Sequence, residues 1–318
     1  MSEAALIRAI TARAAVRPGV RLGIGDDAAV LDGDPAIVLA HDMLVQDVHF
    51  RLGTAAPWDI GWKSLAVNLS DLAAMGAAPV AALVGLGLPR GVAPAVVDAL
   101  YDGMETLAAE WGCTIAGGDT TAAAELVVGV TAVGRMAPGI AAVERSGARP
   151  GDLLCVTGPV GASGAGLHVL ESPSLPLPAP LRDAVVAAHL RPRPRVAEGI
   201  ALAAAGAHAM LDCSDGLAID ASRLAEASGL RVVLELERVP LGPGVAEVAA
   251  ALGRPADELA ATGGEDYELI VAVPAGMRVP GCALIPVGRC EAGPPGLLVE
   301  RHGVPVVLTR MGWDHDVG

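Results

Sequence analysis

Acidic residues next to glycine give the first chemical signal in this chain. Asp26 and Asp27 sit in GIGDDA, Asp42 follows an apolar run ending at Ala40, and Asp119 follows Gly117 and Gly118. Asp212 and Asp215 lie in LDCSDG, and Asp71 comes one helical turn after Asn68 in VNLSDLAAMG. An aspartate on a solvated face needs no explanation. At the end of an apolar strand, beside glycine, it sits where loops converge on a cleft. Gathered carboxylates repel and raise one another's pKa unless cations hold them together. Mg²⁺ takes oxygen ligands and keeps waters that phosphate oxygens replace. The pattern therefore points to metal-bound phosphate.

Each motif alone also has a plainer role. SDG before a helix suits an N-cap. GGDTT suits a turn, and Asp71 suits a solvated helix position. GPVGASGAG at 158–166 suits close helix–strand packing, and it lacks the Gly-Lys-Ser/Thr ending of a P-loop. GIGDDA fits a loose dinucleotide pattern, but the stretch before it is too short and turn-rich for a first Rossmann strand. No Ser/His/Asp or Cys/His arrangement is evident. The five cysteines form no CxxC and no zinc spacing, so buried thiols are expected.

The elements that must position these residues can be read coarsely. A short amphipathic helix is expected over 2–16. A buried strand over Ala36–Ala40 runs into His41-Asp42, and a second extended piece covers Val45–Phe50. Apolar residues at 62, 65, 66, 69, 72 and 73 predict a helix over 59–75, closed by Gly76. A strand over Val80–Leu88, a helix over 94–110 and strands near 113–117 and 125–135 follow. The turn ARPGD at 148–152 marks a boundary, giving domains 1–148 and 149–318. Beyond it come a glycine-rich loop opening a helix, helices near 181–190 and 195–206, a strand over 231–236, a helix over 244–252, the loop GGED and a strand over 267–273. This mixed order predicts two α/β (α+β) domains.

The chain of 318 residues is 53% apolar, enough for a full core. Its net charge of −14 argues against nucleic acid or an anionic membrane as partner. The uncharged stretch Leu72–Pro89 is mostly Ala and Gly with Pro79 inside, and reads as a helix end, a turn and a strand rather than a membrane span. MSEAALIRAI lacks signal-peptide character, so a cytoplasmic location is expected. Lys63 is the only lysine, so phosphate contacts fall to Arg, backbone N–H groups or metal.

In combination the motifs are far more specific. GIGDDAAVL, VNLSDLAAMGAAP, GGDTT, RSGARPGD, LDCSDGL and GGEDYEL occur in this order. They resemble the thiamine-monophosphate kinases, of the aminoimidazole ribonucleotide synthetase-like superfamily, over nearly the whole chain. The resemblance implies that superfamily's two-domain fold and a homodimer formed through the N-terminal sheets. It implies ATP-dependent phosphorylation of thiamine phosphate to thiamine diphosphate, by direct in-line transfer assisted by several Mg²⁺ ions and without a single catalytic base. The family's metal-binding aspartates match Asp27, Asp42, Asp71, Asp119, Asp212 and Asp215. Its ATP contacts match Tyr101, Gly118, Asp119, Arg145 and Ser214. Its thiamine phosphate contacts match His49, Glu265 and Trp313. One departure stands out: the family usually carries hydroxyl residues just before the strand aspartate, where this chain has Ala40 and His41.

Overall fold

A computed structural model describes residues 10–11 and 18–313. The helix expected over 2–16 lies outside the described residues, apart from positions 10 and 11, which are helical. Six strands form the first sheet: β1 (Val20–Leu22), β2 (Ala29–Leu31), β3 (Ile37–Val45), β4 (Ala78–Leu88), β5 (Thr114–Ala122) and β6 (Val127–Arg135). Their order is β1-β2-β3-β6-β4-β5, antiparallel except for the β4–β5 pair. Helices α1 (Pro57–Ala74) and α2 (Pro94–Trp111) belong to this half.

The second half contains β7 (Leu153–Val156), α3 (Ala162–Glu171), α4 (Ala179–Leu190), α5 (Val196–Ala205), β8 (Ala209–Asp212), α6 (Leu217–Ser228) and β9 (Arg231–Glu235). It continues with α7 (Val245–Leu252), α8 (Ala256–Thr262), β10 (Leu269–Val273), β11 (Ile285–Glu291), β12 (Gly296–Arg301) and β13 (Val304–Pro305). Its strands are ordered β13-β12-β9-β11-β7-β10-β8. The short helix α8 was not anticipated, because two turns carry too little periodicity to read.

The central element is α1. Proline occupies its first turn, and Gly76, in a left-handed conformation, follows its end. The sequence suggests a polar side, yet Lys63, Ser64, Asn68 and Ser70 are buried along with Trp62, Leu65 and Leu69. The reason is packing on several sides at once. The first sheet, α2, α5 and β8 all pack against α1. Glycine makes this closeness possible: a Cβ on Gly61 would run into the Leu100 carbonyl, and one on Gly103 into the Trp58 carbonyl.

Alternation explains the second sheet. Cys155, Met210 and Val271 face the α1 side and join the core that contains Leu72 and Leu202. Leu154, Leu211 and Ile270 face the other way, with Leu217, Leu224 and Leu259. Period-two alternation with both faces covered is why LLCV, AMLD and LIVAV read as unbroken apolar runs. One core thus includes residues on both sides of the expected 148–149 boundary.

Two strands correct the sequence reading. The strand β3 is continuous from Ile37 to Val45, so Asp42 is mid-strand and not at a strand end. It pairs with β6 along its whole length, and the extended piece expected over 45–50 is instead a tight turn with Asp47 at φ 62°. Likewise Asp119 lies within β5, which pairs with β4 as far as Ala122.

Candidate active site

A cavity of about 430 Å³ opens between the two halves. Its acidic floor comes from separate elements: Asp26 and Asp27 from the loop before β2, Asp42 from β3, Asp71 from α1, Asp212 from the end of β8, and Asp215 and Asp220 from the turn and helix after it. Asp27, Asp71 and Asp212 each present a carboxylate oxygen within 4.8 Å of the others. Five of the six aspartates expected at a metal therefore line one pocket.

Local structure fixes these side chains. Asp42 shares the inner face of β3 with buried Ala40 and Leu44, and its N–H donates to Asn68 Oδ1 on α1 at 3.0 Å. Ser70 Oγ donates to Asp212 Oδ2 at 2.5 Å, tying α1 to β8. Asp220 accepts from the N–H groups of Asp215 and Gly216, both at 3.1 Å, which shapes the SDG turn. His41 points to the opposite face and meets Thr131 Oγ1 at 2.9 Å. Neither Ala40 nor His41 places a hydroxyl among the carboxylates.

The electrostatics are those of crowded, dehydrated anions. Burial is the largest influence on Asp26, Asp27, Asp42, Asp71, Asp212 and Asp220. Asp27 is pushed up to about 6, with Arg145 opposing and Asp26 reinforcing the rise. Asp71 and Asp212 are raised well above the usual carboxylate range, Asp71 by burial and then by Asp42, Asp212 and Asp27, and Asp212 by burial and then by Asp27, Asp220 and Asp42. Two arginines offset part of this charge. Arg145 reaches Asp27 Oδ1 at 2.5 Å and Asp26 Oδ1 at 3.4 Å. Arg223 reaches Asp215 at 2.5 Å and Asp220 at 2.7 Å. Asp27 Oδ2 remains buried without a hydrogen-bond partner. An all-oxygen donor set with an unsatisfied carboxylate oxygen at its centre fits a hard cation such as Mg²⁺.

The same cavity is lined by His49, Glu265 and Trp313, the three residues expected at the acceptor. Val45 N–H donates to His49 Nδ1 at 3.0 Å. Trp313 is 44% exposed, its N–H donates to the Asp215 carbonyl at 2.9 Å, and Arg310 lies over its ring. Ser214 and Arg145 also line the cavity.

Tyr101, Gly118 and Asp119 are not among the lining residues. For Asp119 register shows why: it pairs with Gly85, Gly85 with Gly129, and Gly129 with Met43. At about 4.8 Å per strand, three strand steps put Asp119 about 14 Å from Met43. It also shares the outer sheet face with Met43, opposite to Asp42.

Sequence reasoning missed Lys63, His189, Asp220 and Arg223. Lys63 forms an ion pair with Glu265 at 2.8 Å. The signal was that this is the sole lysine of the chain and lies inside a mostly apolar helix. His189, Asp220 and Arg223 gave none, since each reads as an ordinary helix residue.

The fold and the acidic cleft together define a two-domain protein of the AIR synthase-related class. The description "AIR synthase related protein, N-terminal domain" matches residues 25–136, and "AIR synthase related protein, C-terminal domain" matches 149–277. Within that class, the chain belongs to the thiamine-monophosphate kinase family. It is 42% identical over 287 residues to the thiamine-monophosphate kinase of Mycobacterium tuberculosis, covering 88% of this chain and 82% of that one. It is 38% identical to that of Bacillus subtilis over 273 residues, covering 85% and 82%. A solved structure, AaThiL complexed with AMPPCP and TMP, superposes with a TM-score of 0.88 at 32% identity, covering 99% of this chain and 97% of that one. No helix among the described residues is long and apolar enough to cross a membrane.

Proposed function

We propose that this chain transfers the γ-phosphoryl group of ATP to the phosphate of thiamine phosphate, giving thiamine diphosphate and ADP. The observation that carries this reading is the meeting of Asp27, Asp71 and Asp212, from three distant segments, within 4.8 Å beside Arg145. The relatives' shared name and the pairing of AMPPCP with TMP in AaThiL support the choice of substrates.

Mg²⁺ held by Asp27, Asp71 and Asp212, with Asp42 and Asp215 alongside, would neutralise the polyphosphate. The chain's own groups do the rest. Arg145 and Arg223 spend their charge on aspartates in the free protein, and each offers guanidinium N–H donors to phosphate oxygens once cations occupy the carboxylates. Ser214 offers a hydroxyl in the same stretch of the cavity. His49, Glu265 and Trp313 would hold the acceptor so that attacking and leaving oxygens lie in line. The acceptor phosphate is already ionised near neutral pH, so a new P–O bond forms and the γ-phosphoryl bond to ADP breaks without removal of a proton. No single catalytic base is required by this reading.

A homodimer through the outer face of the first sheet belongs to the same proposal. That face leaves Met43 at 49%, Val80 at 37% and Leu83 at 46% exposed, and β5 is an open edge strand with Gly118 and Asp119 exposed. We assign Tyr101, Gly118 and Asp119 to the ATP site of the partner subunit. The same reading puts the reaction in the cytoplasm, where unpaired thiols such as the five found here persist.

The test is incubation with ATP, Mg²⁺ and thiamine phosphate, followed by chromatography. Thiamine diphosphate and ADP in equal amounts are expected, and EDTA should abolish both. ADP formation that does not depend on thiamine phosphate would overturn the assignment.

A further inference from the structure

Lys63 is 3% exposed and sits in the middle of α1, away from the acidic floor. Among the described residues, its ammonium has ion-pair distance to one carboxylate, Glu265 Oε1, at 2.8 Å. The other oxygen of that carboxylate, Oε2, lies 3.3 Å from His189 Nδ1, which is also 3.1 Å from Ser163 Oγ. Lys63 therefore holds one carboxylate oxygen, and the His189 ring lies beside the other. The Glu265 side chain keeps 29% exposure, and it lines the cavity.

The backbone around Glu265 is fixed just as firmly. Glu265 and Tyr267 adopt left-handed conformations, at φ 57° and 53°. Non-glycine residues pay for that geometry and hold it only when the surroundings demand it. Glu265 N–H donates to the Ser214 carbonyl at 2.6 Å, and Tyr267 N–H to the Cys213 carbonyl at 2.9 Å. Asp266 between them accepts from Gly161 N–H at 2.6 Å. A buried ion pair contributes little to stability compared with apolar side chains of the same size. Stability alone therefore does not account for a lysine here.

We infer that Lys63 is a positioning residue for the acceptor: it fixes the Glu265 carboxylate, ionised and aimed into the cavity, to receive a cationic or N–H-bearing heterocycle. Thiamine phosphate carries both kinds of group. Burial raises the pKa of Glu265, but the adjacent Lys63 charge opposes it, and the carboxyl lies below the usual range. Burial, then the Lys63 charge, lowers His189 to about 4, so this ring is neutral and Lys63 is the cation of the group. Lys63 touches neither the acidic floor nor Arg145, so its effect should fall on the acceptor and not on the nucleotide.

This inference rests on the proposed thiamine phosphate kinase reading, and steady-state kinetics of the full-length protein separate the two. Lys63→Met is expected to raise KM for thiamine phosphate about tenfold or more, while KM for ATP stays within about twofold. Lys63→Arg, which keeps the charge, should recover most of the loss. Glu265→Gln should raise the same KM, and adding Lys63→Met to it should bring no further change, because the lysine acts through that carboxylate. The double variant carries no lone buried charge, so it decides the matter if Lys63→Met alone does not fold. A further tenfold or larger loss in the double variant would show that Lys63 acts by another route. If the unaltered protein makes no thiamine diphosphate, the substrate reading and this inference fall together. Normal product formation, with thiamine phosphate KM unchanged in Lys63→Met, sinks only the role of Lys63.

Discussion

Ser70 Oγ lies 2.5 Å from Asp212 Oδ2, joining a helix of the first half to the last residue of a strand in the second. Both side chains are buried, and the hydroxyl is one of the few influences that lowers the Asp212 pKa against burial and neighbouring carboxylates. Replacing Ser70 by Ala leaves that carboxylate oxygen without its donor. A loss of about 1–3 kcal/mol in unfolding free energy is expected, with weaker Mg²⁺ binding. Denaturant titration with and without Mg²⁺ checks both.

The crowded carboxylates make a second prediction. Asp71→Asn removes one charge from a buried group of like charges. Turnover should fall by several orders of magnitude, whereas the metal-free variant should be at least as stable as the parent. Circular dichroism melts in EDTA, set beside product chromatography, separate these effects. An active Asp71→Asn protein would contradict the metal assignment.

Proton and metal compete for the same oxygens. Asp27 titrates near 6 when folded, against 3.8 for an unburied carboxyl. The folded state therefore binds more protons between those values, and stability of the metal-free protein falls as pH rises from about 4 through about 6. By linkage that shift of about 2 pK units amounts to roughly 3 kcal/mol for this one group. Mg²⁺ should reverse the trend, with affinity climbing across the same window and levelling above it. Calorimetric titration at several pH values measures the slope; a pH-independent affinity would count against Asp27 as a ligand.

The separation of Asp119 from the other carboxylates leads to a mixing experiment. If Asp119 serves the partner's site, homodimers of Asp119→Asn or of Asp212→Asn are inactive. Exchanged subunits would form heterodimers with one intact site, restoring about a quarter of the parent activity at equal mixing. No recovery after demonstrated subunit exchange would confine each site to one chain.

Close helix packing gives the last prediction. A Cβ on Gly103 would meet the Trp58 carbonyl of α1, which is main chain and held on several sides. Gly103→Ala is expected to destabilise by about 1–3 kcal/mol or more, despite the better helix propensity of alanine. Thermal unfolding tests it.

The sequence by itself determined the placement of acid beside glycine, the helices closed by Gly76 and Gly112, the two-domain order and the family likeness. These are local patterns or ordered motifs, and they survive translation into structure because turn chemistry and periodicity act over a few residues. Strand ends at Asp42 and Asp119 were misread, since only pairing with β6 and β4 decides how far a strand extends. Tertiary structure alone decided that α1 is enclosed and that its single lysine meets Glu265, 202 positions later in the chain. It also decided that Asp119 stands on the opposite sheet face from Asp42. Such contacts depend on which faces the core covers, and no spacing along the chain encodes that directly.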